Sequence, residues 1–332
     1  MILETGRLHA SWMSALIALY AVSPATAVAR MVECETRIGL RPAVAGVSIA
    51  DQQSDLEGFD LIRVRARNGA FLNVYYDRAS RDHALTYASC LGSQLNLLQK
   101  ELRDKRVNAQ WFSLAFTADP DSVPRAKPGE KPVWIANTHP EAQRASSPVP
   151  FIVKTLSHEQ VHSFQARNNT VFPLWFAEGH ASWTGLRIAR MMNADLAIAE
   201  RERIAARART QEFPEDLRTW GMRRPKRTAI LRQVSNEDRR RMNSDPSYMP
   251  PGPFTFTPDD FESDETNMSA KYEASLRIFE ALERRYGTEK TNDWVVAMLA
   301  LAGRVSDADV LAAAIDIFGQ DIEPLLSAST SE

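Results

Sequence analysis

The sequence predicts an α+β protein, with an N-terminal mixed β-sheet region that includes helices, a mostly helical C-terminal part, and one helix of chemical interest between them. Three observations carry that expectation. Short runs rich in β-branched and aromatic residues cluster before residue 140. Apolar residues at helical spacing dominate after about residue 150, and a Pro-rich, charged stretch from about Gln211 to Asp264 interrupts them.

The elements follow in order. FDLIRVRA (Phe59 to Ala66) and AFLNVYYD (Ala70 to Asp77) read as two strands, and Arg67, Asn68 and Gly69 between them form a hairpin-type turn. A helix over His83 to Asp104 carries Leu85, Leu91, Leu95 and Leu98 on helical spacing. Trp111 to Asp119 and Pro132 to Thr138 read as further strands. Ser146 to Pro150 is a helix start, since serine supplies a cap and proline is tolerated in a first turn. The apolar members of that helix, Phe151, Ile152, Val153, Leu156, Val161 and Phe164, occupy more than one face, which predicts a buried central helix. Further helices follow Pro173, begin at Asp195, and end at Gly287, a natural C-cap; shorter ones complete the chain. The stretch from Gln211 to Asp264 reads as an insertion or long loop, expected to be a mobile cover or substrate-selecting loop beside the functional cleft.

At 332 residues, with 40 Lys plus Arg against 42 Asp plus Glu, the chain can bury a large core and has no charge excess directed at nucleic acid or an acidic membrane. The N-terminus differs from the rest. Ser14 to Val22 is a short apolar run, and Ala27, Val28 and Ala29 fit the small-residue cleavage pattern of a secretory signal, so residues 1–29 are read as a signal peptide and the protein as exported, periplasmic or secreted. The run is shorter than the ~20 apolar residues a membrane span requires. Residues 30–145 then form the sheet-containing region and residues 146–332 the helical region with its insertion at about 211–264. The two cysteines, Cys34 and Cys90, either pair in an oxidising compartment or stand as separate thiols; their spacing is not that of a metal or redox motif.

The chemistry centres on LSHEQVHSFQ (Leu156 to Gln165), in which His158, Glu159 and His162 spell H-E-x-x-H. Four residues turn a helix by about 400°, so both imidazoles can face one ion. Glu159 lies beside that face, where a carboxylate can act on a water without being a ligand. Two histidines alone do not make a stable site, so a third ligand is required. The pattern with a glycine three and a histidine six residues after the second histidine is excluded, because Gln165 and Asn168 stand there. Glu178, twenty residues after His158 and on the next helix, is a candidate, since an antiparallel helix could bring its carboxylate back to the ion; its own alternative role is to favour a helix N-terminus. Gly179 and Gly185 would let the two helices approach closely. His180, two residues beyond Glu178, points about 200° away and is not expected to be a ligand. His139 and His83 read as solvated.

With SHEQVHSFQ followed by Trp175, Phe176, Glu178 and Gly179 in LWFAEG, and by Ala181 and Trp183, the sequence resembles the gluzincin zinc metallopeptidases, most closely their compact peptidase-MA-like group. The likeness covers about Val149 to Ala189. It implies a zincin-like fold, one zinc ion held by His158, His162 and Glu178, and Glu159 as the general base toward a zinc-activated water. It further implies a tyrosine from the C-terminal helices as oxyanion stabiliser, for which Tyr272 is chosen ahead of Tyr248 and Tyr286. The G-x-M-E-N signature of gluzincin aminopeptidases is absent before the histidine helix, so the resemblance favours endopeptidase-like action on a peptide or protein, with Val133 to Thr138 as a strand to which extended substrate could add. The alternative is a catalytically inactive protein of peptidase fold that serves as a binding or assembly factor. Intact Glu159 weighs against it.

Overall fold

A strand with little apolar pattern opens the sheet: β1 (Ser48–Gln52) runs antiparallel to β2 (Asp60–Arg65), and β2 runs antiparallel to β3 (Phe71–Tyr76). The computed structural model describes residues 48–66, 70–103, 113–124, 133–141, 150–166, 169–245, 247–263 and 266–327. The expected signal peptide, Cys34, the turn at Arg67 to Gly69 and the helix start at Ser146 lie outside them. Cys90 is buried and is not a free thiol.

From β3 the chain crosses over through α1 (Arg81–Glu101) to β4 (Ser113–Thr117), which pairs with β3 in parallel, as such a connection requires. β5 (Val133–Asn137) then adds in parallel to β4 and forms one edge of the five-stranded sheet. The sheet is therefore mixed, as predicted. Leu91, Leu95 and Leu98 of α1 are buried in one core with Ile62, Val64, Leu72, Val74 and Leu114 of the sheet. A smaller apolar cluster holds Phe59, Leu61, Tyr75, Ala115 and Val123. α1 begins before His83 because Asp77 accepts from the backbone N–H of Ser80 at 2.7 Å and caps a 3₁₀ turn that leads into it.

The helical part follows a π-helical turn at Phe151–Thr155: α2 (Leu156–Gln165), α3 (Leu174–Met192) and α4 (Ala194–Ala208). After the insertion come α7 (Met268–Tyr286), α8 (Thr288–Leu299) and α9 (Asp307–Phe318). The insertion is not one long loop. It contains α5 (Arg227–Leu231), α6 (Asn236–Ser244) and a two-stranded ribbon of β6 (Arg223–Pro225) and β7 (Phe261–Ser263).

α3 is the central helix, packed against α2, α4 and α7. Phe176 on α3 meets Phe279 of α7 at 5.7 Å and Trp294 of α8 at 5.1 Å between ring centroids, and all three rings are buried. Burying side chains of this size contributes roughly 1.5–3 kcal/mol each, so this cluster is a main attachment of α3. Polar ties supplement it. Trp175 Nε1 donates to Asp307 at 2.6 Å, Trp183 Nε1 donates to Glu283 at 2.9 Å, and Arg187 donates to Glu101 of α1 at 2.7 Å. Among the described residues no helix is long and apolar enough to cross a membrane.

Candidate metal centre

The register of α2 is set before it starts. In the π-helical turn the N–H of Leu156 reaches back to the carbonyl of Phe151. Gln94 of α1, fully buried, donates to the carbonyl of Ile152 and to the hydroxyl of Ser157, both at 2.8 Å. A side chain from the helix that packs on the sheet thus serves a carbonyl at the widened turn, the kind of insertion that recurs near functional sites. α2 then buries Leu156, Ser157, Gln160, Val161, Phe164 and Gln165, leaving His158, Glu159 and His162 partly exposed on another face.

α3 runs back along α2. Gln165 meets Ala177 near one end, while His158 faces Ser182 and Gly185 near the other. This antiparallel course brings Glu178 to the two histidines. His158 Nε2 lies 3.1 Å from His162 Nε2 and 3.2 Å from Glu178 Oε2, and His162 Nε2 lies 3.5 Å from the same oxygen. A tetrahedral zinc with ligands at about 2.0–2.1 Å would separate its donors by roughly 3.3–3.4 Å, so the three edges have the size of one face of such a site. The donor set fits as well: two imidazole nitrogens and a carboxylate oxygen, the only group of three or more possible metal donors found among the described residues.

Charge follows geometry. Burial alone would raise the Glu178 carboxyl, but hydrogen bonds and charge from His158 and His162 outweigh it and hold the group at about 2. His162 is opposed by burial yet moves up, because Glu178 and Gln165 favour its charged form. Glu159 stands outside the triangle. Burial lifts its carboxyl above the ordinary carboxylate range, an effect reinforced by Glu178 and partly offset by the two histidines.

These residues line a cleft of about 460 Å³ together with Gln165, Thr170, Val171, Phe172, Leu174 and Tyr272. Tyr272, from the first turns of α7, places its ring 6.3 Å from that of His158 and 5.2 Å from that of Trp220. Burial first, and then the neighbouring carboxylate of Glu178, push its phenol upward. Tyr248 and Tyr286 are elsewhere; their hydroxyls donate to Asp238 and Gln320. His83 and His139 are not among the three donors, and neither is His180, as its helical offset predicts. Among the described residues, no lining residue of this cleft comes from the insertion; its early part meets the site through Trp220 on Tyr272 and Gly221 on Leu174. A second cavity of about 660 Å³, lined by Arg201, Phe213, Leu217, Arg277, Ile278 and Leu325 among others, shares no residue with the cleft.

Sequence reasoning missed Gln165 as a partner of the site. Its amide oxygen lies 2.7 Å from His162 Nδ1, and its position three residues after His162, on the same side of the helix, was the available signal.

No family model matches the chain, and no curated protein matches it. Among solved structures, native yeast LTA4 hydrolase is similar over 85% of this chain and 44% of that chain, at 14% sequence identity and a TM-score of 0.46. The chain thus spans less than half the length of that protein.

Proposed function

We propose that this chain is a zinc-dependent metallopeptidase that hydrolyses peptide bonds with Glu159 as general base. The observation that carries the reading is the donor triangle of His158, His162 and Glu178, sized for one tetrahedral ion, with Glu159 beside it, outside it, and facing the same cleft.

A zinc ion held there supplies Lewis-acid polarisation of a carbonyl and makes water a better nucleophile near neutral pH. The chain's own residues supply the rest. Glu159 takes a proton from the attacking water and delivers it to the leaving amine. Tyr272, which lines the same cleft, donates its hydroxyl to the oxygen on which negative charge develops. The exposed Val171 and Leu174 give the cleft an apolar rim against which a substrate side chain can rest. β5 is an edge of the sheet among the described strands, and an extended peptide adding along it would suit endopeptidase-like action. Export through the segment ending at Ala27, Val28 and Ala29 belongs to the same proposal, and N-terminal sequencing of the protein from its native host, expected to begin near Arg30, tests it.

The function itself is tested by elemental analysis and peptide cleavage on one preparation. About one zinc per chain, activity lost to a chelator and restored by zinc, and loss of both zinc and cleavage in His162→Ala are expected. A zinc-exposed chain that retains no metal would refute it, and a zinc-loaded chain that cleaves nothing across broad peptide libraries would favour a binding role.

A further inference from the structure

We infer that Gln165 and His180 are positioning residues for His162, with His180 helping to fix which way round the Gln165 amide sits and Gln165 fixing which nitrogen of His162 faces the cleft. The inference rests on the metallopeptidase reading and adds to it two side chains that are not among the three donors.

Gln165 is almost fully buried, so its amide must find its partners within the protein. Its nitrogen lies 2.8 Å from the carbonyl of Ala177 and 2.9 Å from His180 Nδ1. A carbonyl only accepts, so the group facing Ala177 is the NH₂, and the amide oxygen is left facing His162 Nδ1 at 2.7 Å. An oxygen there requires a donor, so His162 carries its proton on Nδ1 and directs the lone pair of Nε2 into the donor triangle. That is the form a ligand must take, and a hydrogen bond to the second nitrogen is the usual way proteins impose it.

His180 completes the lock. Its Nδ1 accepts the second amide hydrogen, so its own proton sits on Nε2, which is buried without a hydrogen-bond partner. The ring is entirely buried, stacked at 6.1 Å on Phe279 and 5.9 Å from Phe176. An apolar side chain would fill this space without leaving a buried N–H unsatisfied, which ordinarily costs stability. What a leucine could not do is accept from Gln165. The two positions are linked by helical spacing: Ala177 and His180 are three apart on α3, as His162 and Gln165 are on α2, so one contact between the helices aligns all four.

The test measures zinc affinity by chelator competition in the full-length parent, Gln165→Met, His180→Leu and the double variant, with the thermal midpoint of each metal-free protein and the imidazole ¹⁵N shifts of the zinc-loaded parent. Gln165→Met should weaken zinc binding by roughly 10- to 100-fold. His180→Leu should weaken it less, and the double variant should bind no more weakly than Gln165→Met alone, because His180 acts through Gln165. A purely structural role would lower the midpoints and leave the affinity of the folded chain unchanged. Should a variant not fold, the parent's tautomers decide: ligation through His162 Nε2 and a protonated Nε2 on His180 are expected. Parental affinity in Gln165→Met, a full His180→Leu effect in the Gln165→Met background, or a proton on His180 Nδ1 would overturn the inference while leaving the peptidase reading intact. A parent that binds no zinc would remove both.

Discussion

Gly185 of α3 lies against the backbone of His158: a Cβ at this position would come within 3.0 Å of both the Cα and the N of the histidine. The absence of one side chain therefore sets the distance between the helix that carries the two histidines and the helix that carries Glu178. Gly185→Ala should destabilise the fold by about 1–3 kcal/mol, as overpacking does, and should also weaken zinc binding because His158 is the residue displaced. Chemical denaturation of the zinc-free protein and chelator competition measure the two effects separately. Unchanged zinc affinity would mean that the helix spacing is not what places His158.

Tyr272 touches both the candidate centre and Trp220, so its ring and its hydroxyl can be tested apart. Tyr272→Phe keeps the ring packing. It should lower kcat by about 10²- to 10³-fold, the range for losing one donor to a developing oxyanion, with a small change in KM. An unchanged kcat would reduce the hydroxyl to a neighbour of Glu178.

Much of this site was legible because its information is local. The spacing of His158, Glu159 and His162 fixes their relative directions on any helix, and the two glycines announced a close approach that Gly185 makes at His158. The alternating runs around Leu61 to Val64 and Leu72 to Val74 likewise placed two strands within a residue or two of their ends. What escaped depends on partners distant in sequence. Gln165 and His180 acquire meaning only when α2 and α3 are docked; α3 alone shows no more of His180 than its offset from Glu178. Gln94 serving the carbonyl of Ile152 is a contact across 58 positions that no periodicity encodes. β1, with the sequence SIADQ, pairs through its backbone and offers little apolar alternation to read. The short elements within the insertion were not legible, because prolines and charges mark turns without revealing what joins them.

Asp77 links three segments: it accepts from the N–H of Ser80 at 2.7 Å, the hydroxyl of Thr117 at 2.7 Å and the N–H of Ala118 at 3.0 Å. Burial raises its carboxyl, but these bonds together prevail and hold it below the ordinary value of 3.8. A carboxylate depressed by folding contributes stability that is present above its unfolded pKa and lost as pH falls through the folded one. Asp77→Asn should therefore cost about 1–3 kcal/mol near neutral pH, since the amide cannot accept from all three donors, and should make the loss of stability below about pH 4 shallower. Urea unfolding at pH 7 and pH 3 checks both parts. Equal acid dependence in parent and variant would remove Asp77 from the account.

The central claim, that Glu159 acts as a base beside a zinc it does not bind, is tested most directly by cleavage with Glu159→Gln. The amide has nearly the shape of the carboxylate and leaves His158, His162 and Glu178 in place, so the variant should retain about one zinc and its fold. It cannot accept a proton from water at neutral pH, and turnover of a denatured-protein or mixed-peptide substrate should fall by at least about 10²- to 10⁴-fold. Equal turnover by parent and variant at equal zinc content would contradict the assignment, because the observed cleavage would then use another base or another protein.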